Sequence, residues 1–509
     1  MELFSVTFLI FLGGALLIYY LLPKIARPLW LLVCSYAFYL YGLAHVGYVA
    51  LLASATLITW GAALALDHTQ RRWLRRLLLA LAAAACLVPL GYFKYTGFFR
   101  QVAAELAGLA GFSLKTGAFD VVLPLGISYF TFQALGYVFD VYGGKYRAER
   151  NPLYYALFVS FFPCIVTGPI GRGGEMLPQL RRRTAFDYNT FTGGVFRILY
   201  GFFKKLVIAG LLAGLIENVL TYPMKYSGPT LVVAALLFTA ELYFDFSSCS
   251  DIAIGAGACF GITVRENFHR PLAAPSFKKL WDCWHMSLTS WLEDYIFEPL
   301  AWSGWEKHLP GIGKKLQGHP TTAALFLTYL VSGFWHGASW NYILWGLLNG
   351  LFLYIGSATR KKRKKLNRHN PFFTVPWLAP IRRIFQTFFT YCLFSFTLVF
   401  FWVDLYAGGD VSAALAVYAR MFTNGWAALR VSSADFLAGL TTLGFTPETL
   451  LVLLAAILLA NLLETAEQPL NVAIRRVPIW LRWPLYYVLM AAILFYGAFG
   501  QSAFIYQAY

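Results

Sequence analysis

Residues 321–359 read TTAALFLTYLVSGFWHGASWNYILWGLLNGLFLYIGSAT, and the run carries no Asp, Glu, Lys or Arg. It is too long and too apolar for an ordinary soluble helix, whereas a membrane span needs about 20 consecutive apolar residues. Composition extends the reading to the whole chain. Of 509 residues, 59% are hydrophobic, 18% aromatic and 13% charged, with a mean hydropathy of +0.59; a soluble domain carries about 25% charged residues. The sequence therefore predicts an all-α, polytopic membrane protein. Candidate spans lie at residues 3–22, 29–43, 46–66, 77–95, 121–142, 154–170, 196–216, 230–246, 325–355, 383–405, 450–463 and 481–499, about ten to twelve transmembrane helices. The breaks between them are short, which argues for a single membrane-embedded domain over residues 1–509. The first apolar segment follows Glu2 without a basic leader or a small-residue cleavage site, so it is expected to stay as a helix.

The net charge of +17 is concentrated in clusters at residues 71–76 (RRWLRR), 180–183 (LRRR) and 360–369 (RKKRKKLNRH). Loops rich in Lys and Arg stay on the cytoplasmic side. Placing Lys24 and Arg27 inside puts the N-terminus outside, and two further spans bring Arg71–Arg76 inside as well. The clusters read as topology determinants beside anionic lipid headgroups, and no nucleic-acid module accompanies them. Seven scattered cysteines, without a C-x-x-C pair or a histidine at ligand spacing, give no disulfide or zinc signal; no metal site is expected.

Several apolar segments are interrupted. LFVSFFPCIVTGPIGRGGEMLPQL (157–180) places Pro163, Gly168, Pro169, Gly171, Gly173 and Gly174 at membrane depth, which predicts a broken or re-entrant element buried in protein or lining a wet cavity. FKKLWDCWHMSLTSWLEDYIFEPL (277–300) mixes charges with aromatics and suits an interfacial helix or the lining of a polar cleft. GLLNG (346–350) offers small residues for close helix approach. No internal repeat is visible, which weighs against the transporter folds built by duplication.

Ionisable residues inside apolar segments are costly and mark functional sites by default. Ala240–Gly257 holds Glu241, Asp245 and Asp251, with Glu241 and Asp245 one helical turn apart. Asn267 and His269 follow, then His285 and His336. His45, His68, His269, His308, His319 and His369 fall near loops or span ends, where solvation accounts for them. The bland reading of a buried histidine is a hydrogen-bonding core residue. Around His336, however, Gly333 and Gly337 permit close backbone approach, while Trp335 and Trp340 offer flat walls to a ligand. A neutral imidazole has one nitrogen able to take a proton from a hydroxyl, which in a dry pocket suits acyl transfer. No G-x-S-x-G, H-E-x-x-H or P-loop is present.

In order along the chain, LPLGISYFTFQALGYVFDVY (123–142), the 157–180 segment, LYFDFSSCSDIAIG (242–255), ENFHRPLAAPSFKKLWDCWHMSLTSWLEDYIFEPL (266–300) and GFWHGASWNYILWGLLNG (333–350) resemble the membrane-bound O-acyltransferase family, in its bacterial alginate O-acetyltransferase branch. The resemblance covers about residues 120–350, the expected core. SYAFYLYGL (35–43) and GYFKYTGFF (91–99) share it, while the C-terminal helices, about 380–509, match only in hydropathy. It implies a ring of tilted helices with a thinned centre, where a cytosolic acyl donor meets an acceptor from the opposite side. It also implies catalysis by His336, of the W-H-G motif, as general base toward an acceptor hydroxyl. His285, of W-H-x-S-L, supports the donor or the developing oxyanion. Trp335, Trp284, Ser287, Asn267, Asp245 and Glu241 are the expected substrate- and donor-lining residues.

The chain departs from the family at Asp282, Cys283 and Glu293, where relatives carry basic residues, and at Glu241, where Gln is expected. Those departures bear on donor identity. The implied donor substrate is acyl-CoA, with acetyl-CoA the leading form, or an acyl carrier protein, and no bound cofactor is expected. An extracytoplasmic acyltransferase or polysaccharide-modifying partner would receive the acyl group, and the protein would sit among the lipids of the plasma (inner) membrane. Two other enzymatic or transport readings stay open at this level: D-alanyl transfer to teichoic acid from a carrier protein, and proton-coupled transport through Glu241, Asp245, His285 and His336. A non-catalytic scaffold for polysaccharide export is a third.

Overall fold

A computed structural model describes residues 3–113, 121–182, 185–305, 320–368, 370–425, 446–466 and 468–499. His308, His319, His369 and Arg183, assigned above to loops and basic clusters, lie outside the described residues. Every regular element among the described residues is helical. Among the described residues six helices are long and apolar enough to cross a membrane: Val46–His68, Arg72–Leu109, Tyr188–Thr221, Gly228–Cys259, Pro376–Ala407 and Ile479–Tyr496. Trp340–Ala358 and Arg360–Asn367, bent by 49° where they join, make a seventh if counted as one span, and Val6–Leu21, Val411–Thr423 and Pro447–Leu463 are shorter apolar helices.

Two of the segments expected to span the membrane are mostly covered by protein instead. Residues 121–142 and 154–170 form Ile127–Tyr142 and the nine-residue helix Pro152–Ser160, short elements with most of their side chains buried. Hydropathy reports that a segment avoids water; it does not distinguish lipid from protein as the cover. The Pro/Gly-rich stretch is irregular from Phe161 to Arg172, before helix Gly173–Arg181, and residues 161–170 are wholly buried. Its freed backbone groups are met by side chains: Phe162 N donates to Ser35 Oγ at 3.2 Å and Gly171 N to Gln133 Oε1 at 3.1 Å. A broken element is tolerable in an apolar setting on that condition.

Three π-helical turns interrupt the helices, at Gly91–Tyr95, Lys204–Ala209 and Glu293–Phe297. Each coincides with charged residues, in keeping with the frequent placement of such turns at functional positions. The second feeds a buried ionic network. Arg197 Nε lies 2.5 Å from Asp251 Oδ1 and Arg197 Nη2 2.7 Å from Glu266. Lys204 Nζ lies 2.5 Å from Asp251 Oδ2 and 3.3 Å from Glu464, which also accepts from Tyr243 Oη at 2.7 Å. Asp251, counted above among the costly acids, is thus neutralised, and the network ties the central helices to the end of Pro447–Leu463. Removing one partner of such a group costs far more than the pair contributes, because it strands a buried charge.

Two apolar cores pack side by side. One gathers the N-terminal helices with Trp291 and Trp335; the other gathers the central and C-terminal helices with Trp284, Trp345 and Phe401. At the seam, helix Pro320–His336 pairs with Trp340–Ala358. A Cβ on Gly333 would meet Tyr342 O at 2.2 Å, and one on Gly346 would meet Tyr329 O at 2.2 Å. These glycines let two backbones touch, so Gly333 serves helix pairing and the carbonyl of Tyr342 fills the approach expected for a ligand. Gly337 is closed by the Tyr342 ring in the same way. Gly346→Ala is expected to lower stability by about 1–3 kcal/mol through overpacking, whereas Gly356→Ala, at an open helical position, is expected to be neutral or to raise it by up to about 1 kcal/mol; thermal unfolding of the detergent-solubilised proteins, followed by intrinsic fluorescence, checks both.

Candidate active site

His336 is the last residue of Pro320–His336 and is buried. Its ring lies 4.9 Å from Trp335, 4.9 Å from Trp345 and 5.7 Å from Phe401, centroid to centroid. Trp335 belongs to the first apolar core, and Trp345 and Phe401 to the second. His285 reaches the same indole, its ring 5.8 Å from Trp335, with Phe246 edge-on at 4.7 Å. The structure thus brings the two histidines of the W-H-G and W-H-x-S-L motifs to one side chain, where the two cores meet.

His285 is built into place. It is one of two non-glycine residues with positive φ among the described residues (φ 44°), a left-handed conformation that costs about 1–3 kcal/mol and persists only where the surroundings impose it. The imposing contacts come from the strand-like segment before it: Met286 N donates to Asn267 O at 2.8 Å, and His269 N to Cys283 O at 3.0 Å. The side chain of Asn267 completes the lock. Its Oδ1 accepts from Ser287 N at 3.1 Å and Ser287 Oγ at 2.8 Å, its Nδ2 donates to Ser250 Oγ at 3.1 Å, and His285 Nδ1 lies 3.2 Å from the same Oδ1. A backbone N–H can only donate, so the Asn267 atom facing Ser287 is the oxygen. His285 Nδ1 must then carry the hydrogen, and Nε2 presents its lone pair.

Among the described residues that lone pair has no hydrogen-bond partner, and neither has the indole N–H of Trp335, which is equally buried. Buried polar atoms are nearly always paired. An open acceptor and an open donor around one indole, with the indole N–H of Trp345 beside His336 likewise open among the described residues, are compatible with a site for a polar ligand. No group of three or more metal-ligating side chains occurs among the described residues.

The remaining expected residues divide. Asn267 and Ser287 belong to the histidine group. Trp284 is buried in the second core, its ring near Phe394 (5.1 Å), Phe268 (5.4 Å) and Tyr243 (6.2 Å), and it supports the loop that bears His285. Asp245 lies in a second buried group, 2.5 Å from Lys205 Nζ, with Glu241 one turn earlier on the same helix. Phe246, the next residue, is the one that faces His285. Trp340 is 44% exposed, at the edge of the structure, against Phe98.

Sequence reasoning missed Phe401, Trp345 and Lys94. Phe401 comes from the C-terminal region, where only hydropathy spoke. Lys94 Nζ donates to Trp335 O at 2.6 Å, and Tyr95 Oη to Phe334 O at 3.0 Å. Its signal was available: a lone cation in the apolar stretch around GYFKYTGFF is as unusual as a lone acid.

A profile of the membrane-bound O-acyltransferase family matches residues 147–399. The chain is 32% identical to the protein named probable alginate O-acetylase AlgI of Azotobacter vinelandii, over 92% of this chain and 86% of that one. It is 34% identical to the protein of the same name from Pseudomonas putida, over 82% and 78%. It is 32% identical to the peptidoglycan O-acetyltransferase of Helicobacter pylori, over 72% and 70%. With apolar spanning helices, a buried histidine pair and likeness over nearly the whole chain, this protein belongs to the membrane-bound O-acyltransferase family and is a multi-pass membrane acyltransferase.

Proposed function

We propose that the protein passes an acetyl group from a cytosolic thioester to hydroxyls of an envelope polysaccharide, with the histidine pair around Trp335 as its reaction centre. The observation that carries the site assignment is the pair of buried, unpaired atoms there, His285 Nε2 and Trp335 Nε1. His336 takes the proton of an acceptor hydroxyl as its oxygen attacks the thioester carbonyl carbon. The carbonyl electrons move onto oxygen, and the indole N–H of Trp335 supplies a donor for the oxyanion. Collapse breaks the C–S bond, and the imidazolium of His336 returns the proton to the departing thiolate. The open lone pair of His285 orients a hydroxyl by accepting its hydrogen bond. In that tautomer His285 is an acceptor, so the oxyanion-donor role considered for it passes to Trp335.

The acyl donor is acetyl-CoA or an acyl carrier protein, and the acceptor is the polymer itself or an extracytoplasmic acyltransferase that relays the group. The basic clusters support an inner-membrane orientation with the N-terminus outside. A proton-relay transporter would need Glu241 and Asp245 in line with the histidines; their placement in the Lys205 group favours the enzyme.

Mass spectrometry of envelope polymers from cells with and without the protein tests the function, since the missing mass increment names the acyl group, acetyl or D-alanyl. His336→Ala is expected to abolish that increment, with thioester turnover falling on the order of 10²–10⁴-fold; retained acylation would favour a scaffold. Asn267→Leu, which leaves His285 Nδ1 and Ser287 N without their acceptor, is expected to lower turnover on the order of 10²-fold by misplacing the ring. Asn267→Asp, which keeps an oxygen at that point, is expected to retain most of the rate in the same assay.

A further inference from the structure

We propose that Lys94 is a positioning residue of this active site: its ammonium, reaching in from a π-helical turn of the neighbouring helix, clamps the end of the helix that presents Trp335 and His336. The inference rests on the acyl-transfer reading above.

The last carbonyls of an α-helix have no partner within it. Helix Pro320–His336 ends inside the protein, so water is a poor substitute. Two donors reach its end from one five-residue turn, Gly91–Tyr95: Lys94 Nζ meets Trp335 O at 2.6 Å and Tyr95 Oη meets Phe334 O at 3.0 Å. The Tyr95 ring also stacks on Phe334 at 4.1 Å, with 11° between planes. Consecutive residues of a regular α-helix point about 100° apart, and the wider π turn is what lets Lys94 and Tyr95 serve the same target. The ammonium also sits 5.6 Å from the centre of the Trp335 ring, a cation–π distance.

No carboxylate pairs with Lys94 among the described residues. The buried lysines 204 and 205 differ in this respect, each resting on an aspartate. The charge of Lys94 is met by the negative end of a helix and the face of an indole, both part of the histidine site. Held this way, the side chain acts on the end of one helix. It fixes the peptide between Trp335 and His336, and with it the direction of both rings.

The test uses the full-length protein in lipid nanodiscs with acetyl-CoA as the varied probe, beside polymer acylation in cells at matched membrane levels of each variant. Lys94→Met is expected to lower kcat about 100-fold with KM for acetyl-CoA within about threefold of wild type. Lys94→Arg, which restores a charged donor, is expected to stay within about threefold in kcat. Lys94→Gln keeps a donor without the charge and falls between them; it carries the test if the Met variant fails to accumulate. Wild-type kcat in both Met and Gln variants overturns the proposal, as does a loss confined to KM or an Arg variant as defective as Met. His336→Ala separates the two readings. If it stays active, the acyl-transfer assignment of the site fails; if it is inactive while Lys94→Met is not, only the role of Lys94 fails. Should wild type consume no acetyl-CoA, the acylation of polymer by the same variants decides in the same sense.

Discussion

A helix that stops inside an apolar interior must find donors for its last carbonyls, and helix Pro320–His336 stops at the histidine of the W-H-G motif. Everything at the site follows from how that debt of hydrogen bonds is met. Lys94 and Tyr95 bond the final carbonyls, the close glycine contact with Trp340–Ala358 fixes the turn beyond, and the imidazole of His336 is left among three aromatic rings rather than in water. An unsatisfied backbone group in such surroundings costs several kcal/mol. The partners at this helix end therefore constrain the histidine as firmly as its own packing does.

The same requirement explains why the site lies at a seam. A single core of well-packed aliphatic side chains has no place for two imidazoles and an indole with open polar atoms. Where two cores meet, each can be closed on its own side and leave the polar atoms between them. Trp335 closes the first core, Trp345 and Phe401 the second, and the histidines touch both. Several buried ions form groups of their own, Arg197 and Lys204 paired with Asp251 and Lys205 with Asp245, while Lys94 reaches the histidine site itself.

The fold class was legible because hydropathy is a property of composition, and no arrangement of these residues could expose 59% hydrophobic side chains to water. The histidines and Asn267 were legible because polar groups in apolar segments stand out. What covers two of the expected spans was not, since Ile127–Tyr142 and Pro152–Ser160 are mostly buried by protein and read in sequence as lipid-facing helices do. Nor was the division of the acids. Asp245 and Phe246 are adjacent in sequence, yet successive side chains of a helix diverge by about 100°, which sends one to Lys205 and the other to His285. Phe401 lies 65 positions beyond His336 in a stretch with no motif, and only the folded chain joins them.

The departures at Asp282, Cys283 and Glu293 look, in sequence, like a loss of positive charge near the donor. The folded chain shows where charge enters instead. Asp282 is paired with Lys278 on an exposed turn, at 2.9 Å. Beside Glu293, Asp294 is held by Arg172 at 2.7 Å, and the same guanidinium lies 4.6 Å from the centre of the Tyr295 ring. Lys145 approaches that ring from 5.4 Å and pairs with Asp140 at 2.9 Å, while Tyr295 Oη donates to Asp140 at 2.7 Å. Arg172 Nη1 is buried and has no hydrogen-bond partner among the described residues. Arg172, from the broken Pro/Gly segment, and Lys145, just beyond Ile127–Tyr142, bring cations to this region, each already paired with a carboxylate. A residue-by-residue comparison along the chain misreads this region: Arg172 and Lys145 meet Asp294 and Asp140 with Glu293 beside them, so the assembled group carries no net positive charge, and what a charged ligand would meet is the field of the whole cluster rather than the side chain at any one aligned position.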